Sequence, residues 1–316
     1  MAFLLVTDTL FTVTERGDSQ KDVCICFLVI NQTDELPLLA ITAAASLKKT
    51  RVIIGYVNPL DLPPLPISEK LEIVQLDPSA IPGLQKSLGD NYRDFANLDF
   101  YKIVQLKWQL ISIALRRDFK YIIYADTDIV FSSDPIPAIL STFETRPKAE
   151  ILIQSFTSIP AEPKLCMGFV AFRNTKLITN FISEAESRHR KEILSNPKVG
   201  DDDIVTMLYS EKGFPDWFVE LPQSTFPVGN MLNLYIRKSY FPGLSSPKPF
   251  IFHANYVVGL QNKRLMTRIF MRDNPPLGLK VNLSLKWRFI LVLKGLRLFF
   301  GTKRVQIRAF KEDLIR

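Results

Sequence analysis

The sequence predicts an α/β domain built on a mixed, mostly parallel sheet with helices on both faces. Three observations predict it. Short apolar runs of strand length alternate with segments of helical periodicity through the first two thirds of the chain. Among them VCICFLVI at 23–30 is apolar throughout rather than at every second residue, as in a strand covered on both faces. Another, YIIYA at 121–125, runs straight into Asp126-Thr127-Asp128, and the carboxyl ends of parallel strands are where open α/β sheets hold ligands.

The elements follow in order. VCICFLVI (23–30) is a continuous apolar, β-branched run and reads as a buried strand. Leu36, Leu39, Ala40, Ala43, Ala44 and Leu47 then fall at helical spacing, with Pro37 in the first turn, so 34–49 reads as a helix. RVIIGYV (51–57) is a second strand, LDLPPLP (60–66) an extended connector, and LEIVQL (71–76) a short third strand. Ile103, Leu106, Leu110, Ile113 and Ala114 form the stripe of a helix over 101–117. Strands are expected at 121–125, 151–154 and 167–172, and a helix over 203–211. There is no internal repeat and no low-complexity segment.

Of the 316 residues, 47% are apolar and 23% charged, which is ordinary for a folded globular body. The formal charge of +8 is confined to one end. Residues 277–316 carry ten Lys/Arg against two Asp/Glu, leaving thirty of each in the 276 residues before them. A nucleic-acid-binding protein would spread basic groups over a folded face, so no nucleic-acid partner is expected. The N-terminus lacks a basic region before its apolar run, which Thr7, Asp8 and Thr9 interrupt, and does not read as a signal peptide. No run reaches the ~20 apolar residues of a membrane span. Cys24, Cys26 and Cys166 are odd in number and read as small core residues of a cytoplasmic protein.

Three clusters carry chemistry. Asp126 and Asp128, one residue apart at a strand end, suit a hard divalent cation that also takes diphosphate oxygens, although a turn with solvated acids has the same pattern. His253 follows the apolar run Phe250-Ile251-Phe252 and precedes Gly259 and Lys263. Imidazole can complete a metal shell, glycine allows close backbone approach, and lysine neutralises phosphate. The other histidine, His189, lies in the charged segment SRHRKE and reads as exposed. Asp201-Asp202-Asp203 opens a helix and could serve only its cap and dipole.

In order, YIIYADTDIVF, CMGFVAFRNT, DDDIVTMLYSEKG, FPVG and HANYVVGLQNK resemble the retaining nucleotide-diphospho-sugar transferases of the GT-A fold over about residues 22–270. Within these the chain is most similar to the rhamnogalacturonan xylosyltransferase group and, more distantly, to glycogenin-like and lipopolysaccharide galactosyltransferases. The resemblance implies that Asp126, Asp128 and His253 bind Mn2+ or Mg2+. It implies that Asn31, Lys107, Asp126, Thr127, Gly259 and Lys263 line a UDP-sugar donor. It also places Asp201 and Asp202 at the catalytic centre. Relatives often read Asp-Gln-Asp there; Asp202 puts a carboxylate where the sugar face opposite the leaving group is expected.

The remaining expectation concerns residues 277–316, set off from a transferase domain of residues 1–276 by Asp273-Asn274-Pro275-Pro276. Lys286, Lys294 and Arg297 fall on one side of a helical wheel, with Trp287, Phe289, Phe299 and Phe300 beside them. This basic amphipathic extension reads either as a helix packed on the body or as an interfacial segment, 285–304, on an anionic membrane surface. The second reading makes the protein peripheral on the inner face of a membrane, with a glycan or glycolipid acceptor. Two alternatives compete with the transferase. One is a haloacid-dehalogenase-type phosphotransferase with Asp126 as nucleophile, and the other is a catalytically dead, membrane-associated binding protein.

Overall fold

The computed structural model describes residues 22–277 except 31–34, 49, 59–61, 64, 66–67, 82, 85–97, 157–163, 230–247 and 256–258. Its frame is a seven-stranded sheet in the order β3-β2-β1-β4-β7-β6-β8. The strands are β1 (Val23–Val29), β2 (Thr50–Tyr56), β3 (Leu71–Gln75), β4 (Tyr121–Ala125), β6 (Ile151–Ser155), β7 (Leu165–Arg173) and β8 (Phe218–Glu220). Only β7 runs against its neighbours, pairing antiparallel with both β4 and β6; the other pairings are parallel. The sheet is therefore mixed and mostly parallel, as the sequence predicts.

All seven residues of β1 are buried, and its alternation explains why. Cys24, Cys26 and Leu28 face one core, and Val23, Ile25, Phe27 and Val29 the other. The first core receives α3 (Leu106–Leu115), α5 (Lys176–Ser195) and α6 (Asp201–Glu211). The second receives α1 (Glu35–Ser46) and α4 (Ile136–Thr145). A strand between two helical layers has no solvent face, so its apolar run is continuous. The cysteines are small core residues, with the Cys24 and Cys26 sulfurs on the same face, 3.8 Å apart.

A two-stranded sheet of β5 (Ile129–Phe131) and β9 (Ile251–His253) lies beside the main sheet, with Ile129 opposite His253. A final helix, α7 (Leu260–Asp273), closes over it and buries Met266, Ile269 and Phe270 against Val130 and Phe252. Leu277 ends the described chain by donating its N–H to Phe131 O at 2.8 Å. The basic segment 278–316 lies outside the described residues, among which no helix is long and apolar enough to cross a membrane.

Two expectations change. The helix expected over 101–117 is two, α2 (Leu98–Ile103) and α3. Gln105 N bonds Lys102 O, Lys107 N bonds Val104 O and Trp108 N bonds Gln105 O, tighter i−3 bonds that turn the chain just before Lys107. His189 is buried rather than exposed. It continues the stripe Ile178, Ile182, Ala185 on α5, so helical periodicity outweighs the charged neighbours Arg188 and Arg190. Trp108 Nε1 donates to His189 Nδ1 at 2.9 Å, and His189 Nε2 meets Val199 O at 3.1 Å, a neutral bridge between α3 and the approach to α6. Burial lowers the proton affinity of this ring, in keeping with that role.

Candidate active site

Asp126 emerges from the carboxyl end of β4, where its N–H bonds Gly168 O on β7 at 2.7 Å. Two residues on, the carbonyl of Asp128 accepts from Ala254 N at 3.1 Å as the chain enters the β5–β9 ladder. That pairing carries His253, which is distant in sequence, to the two carboxylates. His253 Nε2 lies 3.2 Å from Asp128 Oδ1 and 3.5 Å from Asp126 Oδ2. One ligand atom from each of the three residues can be chosen so that all lie within 4.8 Å of one another. Two carboxylate oxygens and one imidazole nitrogen are a donor set that suits Mn2+ or Mg2+.

Two lysines frame this triad. Lys263 Nζ, on the first turns of α7, reaches Asp128 Oδ2 at 2.6 Å. Lys107 Nζ, at the start of α3 and only 7% exposed, bridges Asp126 Oδ1 at 3.0 Å and Asp201 Oδ2 at 2.7 Å. Tyr124 OH donates to the same Asp126 oxygen at 2.9 Å, and the Lys107 ammonium sits 5.0 Å from the Tyr124 ring centre. Lys107 thereby ties the Asp-Thr-Asp strand end to the acids that open α6.

The charges explain one another. Burial alone would raise both carboxyls, yet Lys107 and His253 hold Asp126 down at about 2. Lys263 and His253 likewise hold Asp128 well below the usual carboxylate range. Burial works against a charged His253, but Asp128 outweighs it and the imidazole binds its proton well above the ordinary value. Before any cation arrives, lysine and imidazolium supply the positive charge that two buried acids require.

The three acids of α6 divide their work. Asp203 is a cap, its Oδ2 accepting from Gly200 N at 2.8 Å. Asp201 is the buried partner of Lys107. Asp202 Oδ1 accepts from Met167 N on β7 at 2.5 Å, and burial together with the charge of Asp201 pushes its carboxyl up to about 8.

The structure thus brings together Lys107, Asp126, Asp128, Asp201, His253 and Lys263 through direct contacts. Thr127 is buried between the two metal-type acids, and Gly259 begins the turn into α7 with φ +89°. Asn31 lies outside the described residues. The sequence reading places none of Tyr124, Gln154, Cys166 and Gly168 at the site, with Cys166 expected only as a small core residue. Gly168 had a signal: a glycine inside the bulky strand LCMGFVAFR marks a close approach. A Cβ there would lie 1.9 Å from His253 Cε1. Phe226-Pro227-Val228-Gly229 also gains a reason, since His253 N bonds Pro227 O at 3.2 Å and Val228 bridges His253.

A profile of nucleotide-diphospho-sugar transferases matches residues 72–266, well over half of the chain. The chain belongs to that family. It is a glycosyltransferase, built on the mixed, mostly parallel seven-stranded sheet described above. The phosphotransferase alternative falls with this assignment. Solved structures similar to it include mouse xyloside xylosyltransferase 1 in its apo form, at 13% identity and a TM-score of 0.45, covering 75% of this chain and 98% of that one. Galactosyltransferase LgtC in complex with donor and acceptor sugar analogs is 12% identical, with a TM-score of 0.47 and coverage of 84% and 99%. A glycosyltransferase involved in glycosylation of the major capsid of PBCV-1 is 10% identical, with a TM-score of 0.46 and coverage of 78% and 99%. No curated protein sequence matches the chain.

Proposed function

We propose that this transferase moves a sugar from a UDP-sugar to a hydroxyl of a glycan or glycolipid acceptor, with retention of configuration and with Mn2+ or Mg2+ at Asp126, Asp128 and His253. The observation that carries the reading is the triad of half-buried Asp126 with buried Asp128 and His253, flanked by two lysines. A bound cation would neutralise the donor diphosphate and stabilise charge as the sugar–phosphate bond breaks. Lys263, released from Asp128, would pair with phosphate beside the N-terminus of α7, where Gly259 lets the backbone come close. Lys107 holds Asp126 and Asp201 in place and keeps Asp126 ionised. Asp202 is the carboxyl we assign to the sugar face opposite the leaving group, and the positive charge developing on the ring favours its ionised form. The departing diphosphate can take the acceptor proton, so no further base is required.

In this reading residues 1–276 are the transferase, and 277–316 hold it on the anionic inner face of a membrane, next to a lipid-linked acceptor. The decisive assay is UDP release in Mn2+ from UDP-galactose, UDP-xylose, UDP-glucose and UDP-arabinose, by wild type and by Asp126→Ala. Release by wild type alone supports the proposal. No release from any donor, or equal release by the variant, sinks it.

A further inference from the structure

His253 has two ring nitrogens, and only one can offer a lone pair to a cation while the other keeps its proton. Nε2 faces Asp126 and Asp128, so a cation ligand there requires the proton on Nδ1. Gln154, fully buried on β6, decides which nitrogen keeps it. Its amide has one donating and one accepting end. Phe226 O lies 3.1 Å and Pro227 O 3.3 Å from one end, and both carbonyls can only accept, so that end is the NH2 group. The opposite end is therefore Oε1, which lies 3.2 Å from His253 Nδ1. Oxygen cannot donate, so Nδ1 must carry the hydrogen.

The competing arrangement is Cys166, whose Sγ lies 3.6 Å from the same Nδ1. A thiol proton given to Nδ1 would require a bare nitrogen there, facing Gln154 Oε1 at hydrogen-bond distance. Relieving that clash by flipping the amide would set Oε1 against the two carbonyls instead. Cys166 is better used as an acceptor, for Gly168 N at 3.4 Å and Asn255 Nδ2 at 3.6 Å.

We infer that Gln154 is a positioning residue that fixes the Nδ1–H tautomer of His253 and so presents Nε2 to the cation. Backbone carbonyls of Phe226-Pro227 orient the amide, the amide orients the imidazole, and the imidazole completes the site. The inference rests on reading Asp126, Asp128 and His253 as a cation site. Outer-shell partners of metal-bound histidines are commonly worth 10- to 100-fold in metal affinity.

The test is Mn2+ binding by the full-length protein, read from the free-ion electron paramagnetic resonance signal, with thermal denaturation alongside. Gln154→Met keeps the size and removes the acceptor; Gln154→Glu, held as the buried neutral acid, keeps an acceptor oxygen for Nδ1 and turns its O–H toward the Phe226 and Pro227 carbonyls. We expect the Met variant to bind Mn2+ 10- to 100-fold more weakly and the Glu variant to recover most of that loss. With Cd2+ as a diamagnetic probe, 15N-histidine spectra of wild type should show a protonated Nδ1 and a metal-bound Nε2 for His253. Wild-type affinity in Gln154→Met, equal losses in Met and Glu variants, or Cd2+ on Nδ1 would overturn the inference. If Gln154→Met does not fold, the Glu variant and the wild-type Cd2+ spectrum still decide it. Should wild type bind no Mn2+, the cation reading itself fails and the inference falls with it. If instead Asp128→Ala abolishes binding while Gln154→Met does not, only the role of Gln154 is lost.

Discussion

Gly168→Ala adds a single methyl group to β7 at a place where nothing can receive it. The new Cβ would lie 1.9 Å from His253 Cε1, 2.6 Å from Nδ1 and 2.7 Å from Nε2. Ordinary carbon contacts begin near 3.5 Å, so the ring or the strand must give way by about 1.5 Å. The ring has nowhere to go. It is 2% exposed, bonded through Nδ1 to Gln154 at 3.2 Å and through Nε2 to Asp128 at 3.2 Å. Moving it that far breaks both contacts. Overpacking of this kind costs about 1–3 kcal/mol, which for a body of this size lowers Tm by about 3–10 °C. The same displacement removes one of the three proposed ligands, so Mn2+ binding should weaken at least about tenfold. Thermal denaturation and a Mn2+ titration read the two effects. Gly259→Ala is the control: its Cβ would meet nothing nearer than Asn262 Nδ2 at 4.0 Å, and its cost, about 1–3 kcal/mol, comes from the backbone at φ +89°. A Gly168→Ala protein with unchanged Tm and unchanged Mn2+ affinity would show that β7 does not hold His253 in place.

Three further outcomes follow from the charges around the site. Lys107→Met leaves the buried Asp201 and Asp126 without their shared cation and should destabilise the protein by about 3–5 kcal/mol in urea unfolding; a loss below about 1 kcal/mol would mean that solvent reaches these carboxylates. Asp202, pushed up to about 8, holds its proton more tightly folded than unfolded, so its contribution is complete below about pH 4 and is lost as pH rises through 8. Wild type should therefore lose stability relative to Asp202→Asn between pH 5 and pH 8.5, and a constant Tm difference over that range refutes the assignment. Asp203→Ala should cost about 0.5–2 kcal/mol through the lost cap on Gly200 N while leaving Mn2+ binding intact; a loss of Mn2+ binding would draw Asp203 into the site.

The frame and half of the site are legible in the chain because they rest on local periodicity. Continuous apolar runs mark β1, β2 and β4, since a strand covered on both faces must be apolar everywhere. Asp126 and Asp128 stand out because they end such a run. His189 departs from its expected exposure for a related reason: its charged neighbours mask a stripe that only spacing reveals. The Met167-Gly168 pair within β7 and the segment Phe226–Gly229 are visible as motifs without a purpose, because their purpose lies in residues far away in sequence.

What the sequence determines by itself is the six strands β1–β4, β6 and β7 of the main sheet, the place of the Asp-Thr-Asp triplet at a strand end, and the segregation of positive charge beyond residue 276. The tertiary structure alone decides which distant groups meet there. Pairing of β5 with β9 brings His253 to Asp128 across 125 positions of chain, and the turn before α3 delivers Lys107 between Asp126 and Asp201. It also decides that Gln154 can act only as an acceptor toward His253, because two backbone carbonyls claim its amide hydrogens. Residue types follow from local chemistry, whereas the protonation and aim of a buried group depend on every polar atom packed around it.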